Sequence, residues 1–220
     1  MLYSYPKQAH FGKMIAKSKI YEYSNLTTAV KDKFVSQIDK ITWQYKLASA
    51  TINLQATSSV PEIQIFDIQL KGDELDESLL KVIDKAIPFP IFYQIYRGDE
   101  VKIKAAYKRP SDADKNKWVV ESYFESEWIE LDTPKEPLPL ALDLGKLYEQ
   151  MMKRLMPQEV IDTDSKSSIK DQIALVEEIK VKERAYDKLK AKRDREKQFN
   201  RKAELNTQLK KLSKELSELK

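Results

Sequence analysis

The most apolar part of the chain lies at residues 61–108 and begins with a segment rich in Ile and Phe. Residues 62–71 predict a β-strand, because β-branched and aromatic side chains pack well on a pleated surface. The apolar positions change phase between Ile65 and Phe66, so both faces of the strand carry apolar side chains. Either a β-bulge re-aims the side chains there, or the strand is central and covered on both faces. We favour the central strand.

A helix and further strands follow. Asp73 can cap the helix and Pro88 prevents its continuation; its buried stripe consists of Leu75, Leu79, Val82, Ile83 and Ala86. The next strand spans residues 91–96, and the dipeptide Gly98-Asp99 predicts a tight hairpin turn after it. These segments form the candidate core.

The strand after this turn alternates between apolar residues and lysines. The apolar positions are Val101, Ile103, Ala105 and Tyr107, and the lysines are Lys102, Lys104 and Lys108. We interpret it as a strand with one solvent-exposed, basic face. A strand at 118–130 places Glu121, Glu125 and Glu127 on one face, so lysines and glutamates are expected to pair across neighbouring strands. A nucleic-acid surface is the alternative explanation of the lysines.

Two amphipathic patterns outside this core predict helices. Apolar residues at intervals of three or four predict one helix that ends near Leu47; they are Val30, Phe34, Ile38, Ile41 and Tyr45. A second helix is predicted at 141–156, with an apolar face of Leu144, Leu147, Tyr148, Met151 and Leu155. The combined elements predict an α+β domain at 1–157. It has two layers, a mostly antiparallel sheet and helices on one face of that sheet.

A polar segment at 158–168 is predicted to be a linker, and residues 169–220 a basic helical arm without Gly or Pro. Five leucines recur at the spacing of a coiled-coil seam: Leu205, Leu209, Leu212, Leu216 and Leu219. The earlier half of the arm has a different register. The arm is therefore either a helical hairpin that bends near Phe199-Asn200 or one long helix with a register break. So narrow a seam needs a partner, which is the other half, a second copy of the chain or another protein.

Composition removes several classes of enzyme. The chain has no cysteine and one histidine, so a cysteine nucleophile, a cysteine or histidine metal centre and a Ser-His pair are disfavoured. Glycines are too few and too scattered for a phosphate-binding loop. No window approaches the roughly 18 apolar residues of a membrane span, and the N-terminus lacks the pattern of a signal peptide. We expect a cytoplasmic protein without a cofactor, a metal ion or a membrane partner.

The net charge of +4 conceals an asymmetry between the two parts of the chain. Residues 165–220 contain 17 Lys and Arg against 10 Asp and Glu, a net charge of +7, whereas residues 1–164 carry −3. Eight cations crowd around the proposed bend: Lys188, Lys190, Lys192, Arg193, Arg195, Lys197, Arg201 and Lys202. They are candidate DNA-binding residues, since such clusters attract phosphate irrespective of sequence. The alternative is a solvated helix whose acidic residues form i, i+4 ion pairs with them.

Phe199 stands among these charges, where no local reason for an exposed aromatic ring is evident. It is expected to pack in the bend or into a partner. Together with the five leucines of the seam, it is a candidate partner-binding residue.

Asp67, Gln69 and Lys71 lie two residues apart on one face of the core strand. Their spacing is similar to a variant nuclease signature in which an acidic residue, a glutamine and a lysine hold a divalent ion and orient water. That signature takes a further aspartate from the preceding strand, and residues 42–60 contain no acidic residue. A divergent metal-dependent nuclease with these three residues in its catalytic site is therefore an alternative hypothesis.

Four further segments carry a resemblance to a bacterial family of uncharacterised proteins of about this length: Trp43-Gln44-Tyr45-Lys46-Leu47-Ala48, Val60-Pro61-Glu62-Ile63-Gln64, Ile83-Asp84-Lys85-Ala86-Ile87-Pro88-Phe89-Pro90 and Lys197-Gln198-Phe199-Asn200-Arg201-Lys202. The resemblance covers nearly the whole chain. It implies that similar proteins are often encoded near helicases and DNA methyltransferases in restriction or phage-defence clusters. It assigns no catalytic residue.

The leading hypothesis is an accessory, non-catalytic subunit of a restriction-modification or anti-phage complex. It would contact a helicase or a DNA methyltransferase and bind DNA non-specifically through the arm. An oligomeric scaffold that uses the coiled coil alone, as a homo-oligomer, is the third hypothesis.

Overall fold

A computed structural model of the protein describes residues 2–22, 26–111, 113–114, 117–163 and 167–219. The chain divides into two units, residues 1–155 and residues 156–220. Among the helices in these ranges, none combines the length and the apolar character that crossing a membrane requires.

Unit 1 contains nine strands and five α-helices among its described residues. In chain order they are β1 (Tyr3–Ser4), β2 (His10–Met14), α1 (Lys17–Glu22), α2 (Thr28–Gln37), β3 (Ile38–Leu47), α3 (Ser49–Ile52), β4 (Ile63–Leu70), α4 (Glu77–Ala86), β5 (Ile91–Arg97), β6 (Glu100–Pro110), β7 (Trp118–Glu125), β8 (Ile129–Glu130), β9 (Glu136–Pro137) and α5 (Leu144–Lys153).

Seven of these strands form one sheet, in the order β2-β3-β4-β5-β6-β7, with β8 also paired to β6. All pairs in it are antiparallel except β4 and β5. Parallel neighbours need a crossover connection, and α4 supplies it. The short strands β1 and β9 pair separately and in parallel.

Strand β4 is central, as we predicted from the two-faced apolar pattern. Ile65 and Phe66 are both fully buried although they point to opposite faces. Phe66 belongs to a core shared with Phe34 of α2 and with Leu79 and Ile83 of α4. The apolar sides of α2 and α4 therefore cover one face of the sheet.

The opposite face carries a helix as well. Phe92 of β5 points away from the α4 side, and its ring lies 6.0 Å from that of Tyr148 in α5. The predicted α+β class, the mostly antiparallel sheet and the C-terminal helical hairpin are confirmed; α5 is an additional covering on the second face.

Our prediction of a single long helix that ends near Leu47 is wrong. Helix α2 ends at Gln37, and Ile38 begins the ten-residue strand β3, which pairs with β4 over its whole length. Val30 and Phe34 belong to the helix, whereas Ile38, Ile41 and Tyr45 belong to the strand. Bulges in β3 shift its alternation, so a helix followed by an irregular strand produced a spacing that imitates one helix.

Two features near α4 also differ from the sequence interpretation. Asp76 caps the helix in place of Asp73, since its carboxylate accepts a hydrogen bond of 2.8 Å from Ser78 N. The lysine face of β6 is not solvent-exposed: the side chains of Lys102 and Lys104 are 19% and 15% exposed, and that of Lys108 is buried. The predicted cross-strand pairing is present, because Lys102 and Lys104 both contact Glu125 of β7.

Unit 2 consists of α6 (Gln158–Thr163), α7 (Ile169–Arg195) and α8 (Phe199–Leu219). The segment predicted as a linker at 158–168 is thus helical over its first part, and residues 164–166 of it lie outside the described residues. Helices α7 and α8 pack together as a hairpin, which decides between our two predictions for the arm. An ion pair of 2.7 Å between Lys182 and Glu215 joins the two helices.

Candidate functional site

The turn between α7 and α8 is formed by only three residues, Glu196 to Gln198. The Glu196 carboxylate accepts hydrogen bonds from the backbone N–H groups of Lys197 (2.8 Å) and Gln198 (2.9 Å). These bonds satisfy amides that the start of α8 leaves without helical partners. The bond from Gln198 N–H is also the main reason why the pKa of Glu196 is lowered. Glu196 is therefore engaged in holding the turn.

The structure brings the eight predicted cations together around this turn. Arg193 is half-buried, and the other seven are exposed. Within the described residues only Arg193 of the eight forms an ion pair, a contact of its Nε with Asp194 at 2.8 Å. The alternative prediction was that i, i+4 ion pairs neutralise these cations. In the described part of the chain, none of the eight forms such a pair. We call the eight residues the basic turn.

One side of the basic turn forms a shallow open groove. Lys188, Lys192 and Arg195 line it, together with Ala191 and Glu196. Residues three and four positions apart share one face of a helix. The three cations therefore form a row along the last two turns of α7.

Phe199 is the first residue of α8, and it is 83% exposed. It does not pack in the bend, which was one of the two outcomes expected from the sequence. Within the described residues, its ring has no aromatic neighbour and no cation over its face. Phe11, by contrast, packs on Trp43 and lies under Lys13.

The leucine seam is used mainly inside the hairpin. Leu205 and Leu209 are buried, and Leu212, Leu216 and Leu219 are half-buried. The first two contribute to packing of α8 within the unit, so little of their surface is accessible to another chain.

Of the three candidate nuclease residues, Asp67 and Gln69 lie on one face of β4, and Lys71 follows the end of the strand. Asp67 is half-buried, and Gln69 and Lys71 are exposed. The cross-strand neighbours of Asp67 are Thr42 of β3 and Gln94 of β5, so neither adjacent position supplies a carboxylate. The described residues contain no group of three or more His, Asp or Glu that could hold a metal ion.

The surroundings of Asp67 instead favour its neutral form. Burial raises the pKa of Asp67 to about 6, although the charges of Lys135 and Lys40 and the nearby Tyr96 hydroxyl lower it. That hydroxyl donates its hydrogen bond to Gln94 Oε1 (2.8 Å). The Oδ1 atom of Asp67 is buried without a hydrogen-bond partner among the described residues. The geometry thus shows a carboxyl group among tyrosines and amides, and no ready metal site.

Sequence reasoning missed a buried ionic network at the end of α4. Lys108 Nζ lies 2.6 Å from Asp84 Oδ1 and donates to the carbonyl oxygens of Ile87 (2.9 Å) and Phe89 (2.8 Å). The hydroxyl of Tyr123 donates to the other oxygen of Asp84. Burial lowers the pKa of Lys108, while Asp84 opposes that effect. The signal in the sequence was Asp84 beside the apolar stripe, followed by prolines that leave carbonyl groups free.

Two of the other quoted segments have structural roles too. Lys46 Nζ lies 2.7 Å from Glu62 Oε2, and Gln64 Nε2 donates to Glu62 Oε1 over 2.6 Å. These contacts join β3 to the residues at the start of β4. The segments that characterise the body of the chain therefore hold the sheet together, and only the segment at 197–202 is fully exposed.

The sequence profile described as "Domain of unknown function (DUF4391)" matches residues 4–216. No curated protein and no solved structure matches the chain. Because the profile covers nearly the whole chain, the protein belongs to the DUF4391 family.

Proposed function

We propose that this member of the DUF4391 family is a non-catalytic accessory subunit that binds nucleic acid through the basic turn of its C-terminal hairpin. The observation that carries the proposal is the arrangement of eight cations around one turn, of which only Arg193 is paired within the described residues. The positive charge of this cluster exceeds that of its acidic neighbours Asp194 and Glu196, and such an excess attracts the phosphate backbone, whatever the base sequence.

The larger assembly is inferred from the resemblance to proteins encoded in restriction and phage-defence clusters. We propose a helicase or a DNA methyltransferase of such a cluster as the partner. In that complex the partner performs the reaction, and the hairpin adds affinity for the nucleic acid on which it acts. This division of roles agrees with the structure of unit 1, in which the segments that carry the family resemblance make contacts that hold the sheet together.

Salt dependence provides the first test. Binding of a fluorescent DNA to the full chain is expected to weaken with salt, with a slope of about −0.9 in log K against log salt for each phosphate neutralised. Four contacts would lower affinity roughly 150-fold between 50 and 200 mM salt. Affinity that is insensitive to salt contradicts the proposal.

A matched pair of variants locates the interface. Lys188→Gln/Lys192→Gln/Arg195→Gln removes three charges from the groove of the basic turn. Lys210→Gln/Lys211→Gln/Lys214→Gln removes three exposed charges from the same hairpin, beginning eight residues, or about 12 Å, beyond Lys202. The first variant is expected to reduce the salt slope by roughly 2 to 3, and the second to leave it nearly unchanged. Equal effects would show that net charge alone, and not the basic turn, governs binding.

Two further measurements address the partner and the nuclease alternative. A helicase or methyltransferase encoded beside the gene is expected to co-purify with the chain, and its absence from the purified material contradicts the accessory role. Metal-dependent cleavage of DNA that is lost on Asp67→Ala and on Lys71→Ala would replace this proposal by the nuclease hypothesis.

A further inference from the structure

We infer that the basic turn prefers single-stranded nucleic acid and that Phe199 provides the surface on which a base stacks. This inference rests on the proposed function and names the form of nucleic acid that the same site takes. Its starting point is the 83% exposure of Phe199, the first residue of α8. The hairpin covers only a small part of this residue, so most of its apolar surface is left in water.

The position of Phe199 within the charge cluster points to the ligand. Lys197 precedes the ring, and Arg201 and Lys202 follow it, all of them exposed. Lys202 is three residues further along α8, so it lies on the same helix face as Phe199. An unstacked base on the ring therefore brings its own phosphate beside an available ammonium group.

The free faces of the ring support stacking in particular. Neither a cation nor another ring of the described residues covers Phe199, although five other aromatic rings among those residues have a lysine or arginine over them. Bases stack on such open rings with little regard to sequence, and single-strand binding proteins combine this contact with a basic groove. The row of Lys188, Lys192 and Arg195 provides that groove beside the turn.

A duplex and a protein partner fit the same surface less well. In a duplex the base faces are already stacked, and a side chain that inserts between them must first unstack the step, at a cost of about a few kcal/mol. The centre of a protein interface is depleted of charged residues, whereas Phe199 has three exposed cations within three positions along the chain. A single strand offers both free base faces and phosphates.

The test compares a dye-labelled thymidine oligonucleotide of about 20 nucleotides with a duplex of the same length, using the full-length protein. Phe199→Ala is expected to weaken single-strand binding by about 5- to 150-fold and to change duplex binding less than about 2-fold. Phe199→Trp is expected to restore single-strand affinity, because it restores a stacking surface. An abasic sugar-phosphate strand is expected to bind equally to the wild-type protein and Phe199→Ala.

The outcomes separate this inference from the proposed function. If neither oligonucleotide binds, or if the Lys188/Lys192/Arg195 variant binds as the wild type does, the proposed function itself is wrong. If both bind through the basic turn but Phe199→Ala affects them equally or not at all, the preference for single strands is wrong and the proposed function stands. If Phe199→Ala abolishes only capture of the co-purifying protein, the ring belongs to a protein contact and the inference is overturned. Circular dichroism checks that the exposed substitution leaves the hairpin folded.

Discussion

Lys108 Nζ lies 2.6 Å from Asp84 Oδ1 in the interior of unit 1, and neither side chain is exposed. Burial of two charges carries a large desolvation penalty, which their attraction offsets only when further hydrogen bonds satisfy the remaining donors and acceptors. Here the Ile87 and Phe89 carbonyls accept from the ammonium, and Tyr123 donates to the carboxylate. The segment at 83–90 therefore provides the acceptors for one buried lysine of β6.

We predict that Lys108→Met lowers the free energy of unfolding by about 3 to 5 kcal/mol, because it leaves the Asp84 carboxylate buried without a counter-charge. Urea denaturation followed by tryptophan fluorescence measures the change. Lys108→Met/Asp84→Leu is expected to be less destabilised than the single variant, since no buried charge is left alone. Lys81→Met, which changes an exposed lysine of α4, the helix of Asp84, is the control. A Lys108→Met effect no larger than that of Lys81→Met contradicts the argument.

The hydroxyl of Tyr148 in α5 bridges two backbone groups of β6 at a point where the strand pairing is irregular. It accepts a hydrogen bond from Lys108 N (2.7 Å) and donates one to Ala106 O (3.2 Å), where the pairing of β6 with β7 shifts register. We predict that Tyr148→Phe lowers the free energy of unfolding by about 1 to 3 kcal/mol, because buried backbone groups lose their partner.

The stacked neighbour Tyr107 provides the control for that measurement. Its ring lies 5.6 Å from that of Tyr148, nearly parallel to it, so Tyr107→Phe keeps the same aromatic contact. A chemical denaturation series in which Tyr107→Phe and Tyr148→Phe are equally stable would show that the hydroxyl of Tyr148 does not hold the bulge.

Asp67 predicts a dependence of stability on pH. Burial raises its pKa to about 6 in the folded state, above the ordinary value of 3.8, so the folded chain binds this proton more tightly than the unfolded chain. The contribution of Asp67 to stability is therefore full below about pH 4 and is lost as the pH rises through 6. Asp67→Asn removes that loss, and its advantage in urea midpoint over the wild type is expected to be larger at pH 7.5 than at pH 4.5.

The matched control for Asp67→Asn is Asp99→Asn in the exposed β5–β6 turn, which removes the same charge from the surface. The two variants are compared across the same pH range. If the difference between Asp67→Asn and the wild type stays constant with pH, or follows that of Asp99→Asn, burial of Asp67 does not favour its protonation.

Local patterns predicted the elements whose signal comes from their own residues. The segment at 62–71, with apolar side chains on both faces, identified the central strand. Gly98 predicted the β5–β6 turn, and in the structure it has the positive φ of 55° that glycine adopts readily. The different registers of the two halves of the arm predicted either a hairpin or a register break in one long helix, and the structure has the hairpin. In each case neighbours along the chain determine the structure.

The sequence misled where the environment is set by a distant segment. Lys102, Lys104 and Lys108 have the alternation of a solvated strand, but α4 covers that face and supplies Glu77 to Lys104 and Asp84 to Lys108. The position of those acceptors cannot be read from β6 itself. For the candidate site, the sequence located all eight cations of the basic turn, but only the structure shows that Phe199 is exposed and that Leu209 is buried.

Leu209 and Phe199 give opposite predictions for the stability of unit 2. Leu209 is 5% exposed on the side of α8 that packs in the hairpin, whereas Phe199 is 83% exposed. We predict that Leu209→Ala destabilises α8 by about 2 to 5 kcal/mol, because it removes buried methyl groups and leaves a cavity. Phe199→Ala, a surface change, is expected to stay within about 0.5 kcal/mol of the wild type. Amide hydrogen exchange of α8 in the full chain measures both effects. Equal protection of α8 in the two variants would mean that the leucine seam does not hold the hairpin closed, and that the basic turn is supported in another way.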